Sequence, residues 1–236
     1  MLNEEVQIRD CDAIVLDIEG TTCPAAYVLD TLFPYSRERL TTWVHEHADE
    51  PETAEILSDV ARACSLSPTD YPAITSQLAA WIDQDVKAAP LKALQGLIWE
   101  AGFATGELIT PHFPDVAPRL KQWKDAGLTL AVYSSGSIRA QHCLFRYTTD
   151  GDLDELMDAN FDIGSAGPKK NADSFELIAR TLDLPAHRLL FLTDIQDELN
   201  AAHTAGWQVC GLRRPGELQA TATPYVASFD ELELVL

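Results

Sequence analysis

The residues best suited to chemistry are carboxylates that directly follow short apolar runs. Asp17 and Glu19 come after Ala13–Leu16, and Asp194 comes after Leu189–Thr193. Two acids one residue apart at a strand end can converge on one cation, and Mg²⁺ prefers a few hard oxygen ligands and retains several waters. The pattern predicts a magnesium site formed by Asp17 and Glu19, with Asp194 placed to complete the metal shell.

An aspartate beside such a metal ion can attack phosphorus. The resulting aspartyl-phosphate divides hydrolysis into two easier displacements. We predict that Asp17 is the nucleophile and that Glu19 protonates the leaving oxygen and then activates water. The alternative interpretation is a strand-end turn with solvated acids.

Two further segments could hold a phosphate. Ser134 and Ser135 follow the apolar run Leu128–Tyr133 and precede a helical pattern, and hydroxyl and backbone N–H groups at a helix N-terminus bind anions. Serines there also commonly cap helices. Lys169 follows Gly167-Pro168, a stiff turn that would fix a positive charge, with Lys170 as the rival candidate.

Two acids follow Asp194 within one helical turn. Glu198 lies four residues on and therefore on the same helix face as Asp194. It could contact the metal indirectly. Asp197 is interpreted as a first-turn acid that complements the helix dipole.

Strand and helix patterns alternate in most of the chain. Three buried apolar runs end in functional residues, as expected for parallel strands whose carboxyl ends bind ligands. Residues 24–110 instead show helical periodicity, interrupted by prolines. We predict an α/β fold, a doubly wound, mostly parallel sheet forming a Rossmann-like hydrolase core over 1–23 and 111–236, with an inserted helical cap over 24–110.

The composition and net charge of the chain limit the kinds of partner that it can bind. The 236 residues carry 17 Lys and Arg against 37 Asp and Glu, a formal net charge of −20. Nucleic acid and anionic membranes would be repelled. The five scattered cysteines, without a C-x-x-C pair, fit a reducing compartment, and no signal peptide or membrane-length apolar run is evident. We expect a cytoplasmic protein acting on a small phosphorylated molecule.

The four patches, in this order and with a helical insertion after the first, resemble the haloacid dehalogenase superfamily of phosphotransferases. The second acid of the first motif is glutamate, in Asp17–Thr22, and this variant resembles the enolase-phosphatases of methionine salvage, also called acireductone synthases. Further matching segments are Leu94–Trp99 with Gly106–Leu108, Tyr133–Ser137 and Leu144–Leu153. The resemblance covers nearly the whole chain.

The resemblance implies an enzyme that enolises 2,3-diketo-5-methylthiopentyl 1-phosphate and then removes its phosphate, as a monomer with one Mg²⁺ per chain. It implies that Asp17, Glu19 and Asp194 bind the metal, Glu19 through its backbone carbonyl, and that Ser134, Ser135 and Lys169 bind the substrate. Family members usually carry glutamate two residues after the lysine, where this chain has Asn171.

Several questions stay open at this level. The residues do not select a base for enolisation. Trp99 and Phe103 are candidates for recognising the methylthio end, or simply core residues of the helical segment. The rival functions are a phosphatase for another small ester on the same fold and a non-catalytic metal- or phosphate-binding regulatory domain.

Overall fold

The computed structural model describes residues 6–84, 86, 88–221 and 224–235. The chain divides into two compact units, one formed by Met1–Ala25 with Ile109–Leu236 and the other by Ala26–Leu108. The first contains the sheets and the second is helical. The sequence placed these boundaries at 23/24 and 110/111, and the role of the helical unit as a cap stays a prediction.

The first unit is built on a six-stranded parallel sheet. Its strand order is β4-β3-β2-β5-β6-β7. These strands are β2 (Ala13–Leu16), β3 (Thr129–Tyr133), β4 (Ala159–Phe161), β5 (Leu189–Thr193), β6 (Gln208–Leu212) and β7 (Tyr225–Val226). A separate pair joins β1 (Val6–Arg9) in parallel to β8 (Leu232–Val235). The chain builds outward from β2 through β3 to β4, then returns to β2's other side with β5, so the prediction of a doubly wound parallel sheet is confirmed.

Helices cover the sheet because its strands are apolar on both faces. Ala13 and Val15 belong to one core with apolar residues of two helices later in the chain. The alternate residues Ile14 and Leu16, which point to the opposite face, are also fully buried. The helices of this unit are α6 (Val116–Asp125), α7 (Ile138–Arg146), α8 (Ala172–Leu182) and α9 (Gln196–Thr204), numbered after those of the helical unit.

Aromatic rings pack edge to face inside the α8–α9 core. Phe175 on α8 contacts Tyr133, Phe191 and Trp207, with ring centroids 5.0 to 5.5 Å apart. Such pairs add about 0.5–1.5 kcal/mol each beyond the burial of their surface. Because Tyr133 and Phe191 lie on β3 and β5, this cluster fixes α8 against the strands that end at the predicted site.

The helical unit has a core of its own. Helix α1 (Ala25–Tyr27) continues through a π-helical turn (Val28–Leu32) into α2 (Phe33–His47), and α3 (Pro51–Cys64), α4 (Tyr71–Asp83) and α5 (Ala89–Ala104) follow. Apolar residues of α2 to α5 form one buried cluster. Pro51, Pro72 and Pro90 lie in the first turns of α3, α4 and α5, where a missing N–H costs nothing, and Pro68 lies in the turn between α3 and α4.

Trp99 and Phe103 are buried on α5. The indole N–H of Trp99 donates to the carbonyl of Leu32 at 2.7 Å, and its ring stacks near Phe33 with centroids 6.1 Å apart. These contacts lie within the helical unit. They favour the interpretation of Trp99 as a core residue over a role in recognising substrate.

Several elements had no sequence prediction. The strands β1, β4, β7 and β8 have two to four residues each, too few for a clear periodic pattern.

Four of the five cysteines are buried and Cys64 is half-buried, and all are free thiols. Among the described residues, no helix has the length and apolar character needed to span a bilayer.

Candidate active site

Parallel pairing brings three predicted residues to one edge of the sheet. Strand β2 pairs with both β3 and β5, and Leu16 is in register with residues at the ends of both neighbours. Asp17, Ser134 and Asp194 therefore follow adjacent strand ends. The backbone N–H of Asp17 donates to the carbonyl of Leu192 at 3.0 Å, which extends the β2–β5 ladder to the nucleophile candidate. This is the position where the strand order reverses, where α/β sheets commonly bind ligands.

A buried lysine joins two carboxylates at this edge. The Nζ atom of Lys169 lies 2.5 Å from Oδ1 of Asp17 and 2.7 Å from Oε2 of Glu198. All three side chains are buried. Glu198 thus belongs to the site, whereas the sequence left its role open.

A strand residue, a helix residue and a glycine turn hold Lys169 in place. The hydroxyl of Tyr133 donates to the carbonyl of Gly167 at 2.8 Å, and Ser174 donates to the carbonyl of Pro168 at 2.9 Å. Gly167 has φ +99°, a conformation that favours glycine. Burial works to lower the pKa of Lys169, but the neighbouring carboxylates of Asp17 and Glu198 outweigh it, so the pKa is raised and the ammonium stays charged.

Thr193 lies between the same two carboxylates. Its Oγ1 is 2.9 Å from Oε2 of Glu198 and 3.2 Å from Oδ2 of Asp17, and one hydroxyl proton can serve only one of them at a time. The sequence prediction missed Thr193. The signal available in the sequence was a polar residue at the end of the apolar run Leu189–Thr193. The structure shows that this residue is fully buried.

Asp194 is the least compensated acid of the site. It is buried, and its Oδ1 has no hydrogen-bond partner. Burial, followed by repulsion from Asp17, raises the pKa of Asp194 to about 7. Burial and Asp17 likewise raise the pKa of Glu198. A carboxylate in this environment is stabilised either by binding a proton or by a nearby cation.

The donor set fits a hard cation with few protein ligands. Asp17 and Asp194 supply carboxylate oxygens, while the Glu19 side chain is exposed, so Glu19 would contribute its backbone carbonyl. In the described ranges, no group of three or more His, Cys, Asp and Glu side chains is arranged to hold a metal ion. Mg²⁺ tolerates this arrangement because it keeps several waters as ligands, and the unpartnered Oδ1 of Asp194 is a free ligand atom for it.

Gly20 lies directly against Asp194. Its φ is +73°, and a Cβ added there would be 2.3 Å from Oδ2 of Asp194. No side chain larger than hydrogen fits without moving that carboxylate. The first motif therefore needs glycine for two reasons, the backbone conformation and the close approach of the acid.

The serine turn is internally hydrogen-bonded. The buried Ser134 hydroxyl accepts from the N–H of Gly136 at 3.2 Å, and Ser137 caps α7 by accepting from the N–H of Ala140 at 3.3 Å. Ser135 is exposed at the start of the same helix. The turn thus presents the N-terminus of α7 beside the strand end of β3.

Three neighbouring residues lie outside the buried group. Lys170 and Asp197 are exposed and form an ion pair at 3.0 Å, which separates Lys170 from the site. Asn171 caps α8 by accepting from the N–H of Asp173 at 3.1 Å. Lys169, not its rival Lys170, is therefore the lysine that meets Asp17, and asparagine at 171 serves as a helix cap.

Comparison with known proteins agrees with this geometry. Residues 11–206 match the model of the haloacid dehalogenase-like hydrolase family. The chain belongs to this family.

Among the curated relatives, Enolase-phosphatase E1 of Frankia alni is 48% identical over 92% of this chain and 93% of that protein. The protein of the same name from Streptomyces avermitilis is 45% identical over 89% and 88%. The crystal structure of UTR4 protein from Saccharomyces cerevisiae superimposes with a TM-score of 0.79 at 30% identity, covering 94% of this chain and all of that one. CbbY from Rhodobacter sphaeroides, at 22% identity and a TM-score of 0.59, shares the fold.

The first prediction tests the close approach at Gly20. In Gly20→Ala the added methyl would displace the Asp194 carboxylate, and we expect kcat/KM for an aryl phosphate to fall by about 100-fold, the scale for a misplacement of about 1 Å at a reacting centre. Gly127→Ala is the matched control, because Gly127 has φ +87° and nothing within 4 Å of its added Cβ. Equal activity losses in the two variants would assign the effect to backbone strain alone.

The second prediction concerns pH. The pKa of Asp194 is about 7 in the folded chain and 3.8 as a free side chain, so between these values the folded state holds a proton that the unfolded state has lost. In EDTA, stability should therefore fall as the pH rises from about 4 to about 7. Urea unfolding across this range should show the slope, and Asp194→Asn should reduce it, leaving the part contributed by Glu198. A slope of the same size in Asp194→Asn would contradict the assignment.

Proposed function

We propose that the protein is an enolase-phosphatase of L-methionine salvage. It converts 2,3-diketo-5-methylthiopentyl 1-phosphate to the acireductone 1,2-dihydroxy-3-keto-5-methylthiopentene and phosphate. The observation that carries the phosphatase half is that Lys169 holds the buried Asp17 beside Asp194, whose Oδ1 has no partner. The relatives named Enolase-phosphatase E1, at 42–48% identity over most of the chain, support the substrate.

Asp17 is the nucleophile. Lys169 holds its Oδ1 and Thr193 contacts its Oδ2, so the carboxylate has a defined orientation before substrate binds. Asp17 attacks phosphorus, and the bond from phosphorus to the leaving oxygen breaks. The product of this half-reaction is an aspartyl-phosphate on Asp17.

Glu19 handles the protons in both half-reactions. Its side chain is exposed, unlike that of Asp17, so an incoming substrate can approach it. It gives a proton to the leaving oxygen, then takes one from a water molecule, which attacks the aspartyl-phosphate. Inorganic phosphate leaves and Asp17 is restored.

One Mg²⁺ per chain would be held by Asp17, Asp194 and the backbone carbonyl of Glu19. When bound, it supplies positive charge that stabilises the charge developing on the transferring phosphoryl group. The chain needs local positive charge at the site, because its net charge of −20 repels a phosphorylated substrate. The orphaned Oδ1 of Asp194 supports this assignment.

Ser134, Ser135 and Lys169 bind the phosphate. The start of α7 offers backbone N–H groups and a partial positive charge, and the serines add hydroxyl donors without net charge. Lys169 contributes a fixed cation from a rigid turn. Two observations support this set: Lys169 contacts Asp17, and the serines follow β3, which pairs with the strand before Asp17.

The helical segment 24–110 acts as the cap, and 1–23 with 111–236 forms the catalytic core. We further propose a monomer in the cytoplasm, with the small phosphorylated substrate as its partner and without nucleic acid or membrane binding. The free cysteines and the strongly acidic composition support this setting.

The third prediction tests nucleophile and substrate together. Wild-type protein with Mg²⁺ should release phosphate from the diketo phosphate and generate acireductone absorbance. Asp17→Asn should lose activity by at least about 10⁴-fold, because a neutral amide replaces the nucleophilic carboxylate. Asp197→Asn is the control, since Asp197 pairs with Lys170 at the surface.

The outcome separates the rival functions. Phosphate release from other small esters but not from the diketo phosphate would leave the site intact and overturn the salvage role. The absence of turnover with any phosphate ester would favour a binding domain.

The fourth prediction tests the acid–base role of Glu19. In Glu19→Gln the dephosphorylation step lacks its base, so kcat should fall by about 10²–10⁴-fold. Rapid acid quenching and mass spectrometry should find a phosphoryl group on the peptide containing Asp17. Full activity in Glu19→Gln would restrict the contribution of Glu19 to its backbone carbonyl.

A further inference from the structure

A buried ion pair lies outside the four sequence motifs. Arg214, two residues after β6, is 2% exposed, and its Nη1 lies 2.6 Å from Oδ1 of Asp115. The other oxygen of Asp115 accepts the N–H of Phe229 at 2.6 Å. The guanidinium carbon is 4.4 Å from the ring centroid of Phe113 and 4.8 Å from that of Phe229. Arg214 is thus held on several sides.

The remaining contact of Arg214 leads to the nucleophile turn. Its Nε donates to the backbone carbonyl of Thr21 at 3.0 Å. Thr21 is fully buried, and its Oγ1 accepts the backbone N–H of Asp194 at 3.2 Å. Two hydrogen bonds therefore connect Arg214 to the backbone of Asp194 through one residue.

The same turn sets the clearance for the Asp194 carboxylate. Gly20, adjacent to Thr21, has so little space beside Asp194 that an added Cβ would lie 2.3 Å from its Oδ2. Any shift of Thr21 moves both the Asp194 backbone contact and the wall against its side chain. The Gly20-Thr21 turn therefore borders Asp194 at both its backbone N–H and its carboxylate.

Stability does not by itself account for Arg214. A buried ion pair is often no more stable than apolar residues of the same volume. Here Nη2 of Arg214 is also buried without a hydrogen-bond partner, which is a cost. The guanidinium instead fixes the relative positions of Asp115 and Thr21, because its planar group donates to both of them at fixed angles.

We infer that Arg214 is a positioning residue of the active site, acting through Thr21 to hold Asp194 where it can share a cation with Asp17. The inference rests on the proposed function for the role of Asp194. Arg214 touches neither substrate nor metal. Its effect reaches the chemistry only through the Thr21 carbonyl.

The test is the exchange rate of the Asp194 amide hydrogen, measured by NMR in Arg214→Lys without metal. Lysine keeps a positive charge beside Asp115 but lacks the planar fork that also reaches Thr21. We expect the Asp194 amide to exchange about fivefold faster or more, the scale of one lost hydrogen bond. The Asp17 amide, bonded to Leu192, should keep its rate.

Arg213→Lys is the matched control. Arg213 is the adjacent residue, and its Nε donates to the carbonyl of Ala220 at 2.6 Å, within the loop that follows β6. It should leave the Asp194 amide unchanged. If Arg214→Lys accelerates both the Asp17 and Asp194 amides equally, or neither, the positioning role is wrong.

A second readout follows the cation directly. Titration with Mn²⁺ in the absence of substrate should show a Kd raised by about 10-fold in Arg214→Lys, the lower end of the effect of outer-shell partners. The KM for substrate at saturating metal should stay unchanged. An unchanged Kd for Mn²⁺ would overturn the inference.

Two points keep the result interpretable. If Arg214→Lys does not fold, the double variant Asp115→Asn with Arg214→Met removes both buried charges and keeps an acceptor for the N–H of Phe229, and the same exchange measurement applies. The exchange measurement needs no substrate. Failure of wild-type protein to turn over the diketo phosphate would overturn the proposed function without affecting the exchange comparison.

Discussion

The site depends on the repulsion among carboxylates that are buried together at the end of a parallel sheet. Asp17, Glu198 and Asp194 share this space, and Lys169 neutralises only part of their charge. Its two contacts go to Asp17 and Glu198, while Asp194 keeps an unpartnered oxygen and a pKa raised to about 7. Because uncompensated buried charge is costly, this arrangement is poised to take up a cation. The proposed metal binding and the orientation of the proposed nucleophile would thus both follow from one electrostatic imbalance.

The surrounding structure maintains this imbalance by restricting movement. Parallel pairing of β2 with β5 extends to Asp17 through its bond to Leu192, so the proposed nucleophile is held by the sheet. Edge-to-face packing of Phe175 with strand residues places α8, which carries the turn of Lys169. The preorganised charges need little rearrangement when a phosphate arrives, and such preorganisation is a large term in catalysis.

Much of the fold was predictable because buried parallel strands and amphipathic helices have distinct patterns. The apolar runs Ala13–Leu16 and Leu189–Thr193 are strands with the same bounds, and the helical pattern predicted after Ser134 and Ser135 is α7. The short strands such as β4 have too few residues for a period, and their pairing is set by neighbours in space. The role inferred for Arg214 could not be predicted from the sequence either, because an isolated arginine more often lies in solvent.

The sequence alone determined which residue types follow the strand ends, the helical character of 24–110, and the acidic composition that requires local charge inversion. Local patterns carry this information because they depend on side-chain periodicity and turn chemistry. Only the tertiary structure decided that Lys169 rather than Lys170 meets Asp17, that Glu198 joins them, and that Thr21 connects Arg214 to Asp194. These contacts join residues up to 193 positions apart. Their selection depends on sheet register and burial, which no local spacing encodes.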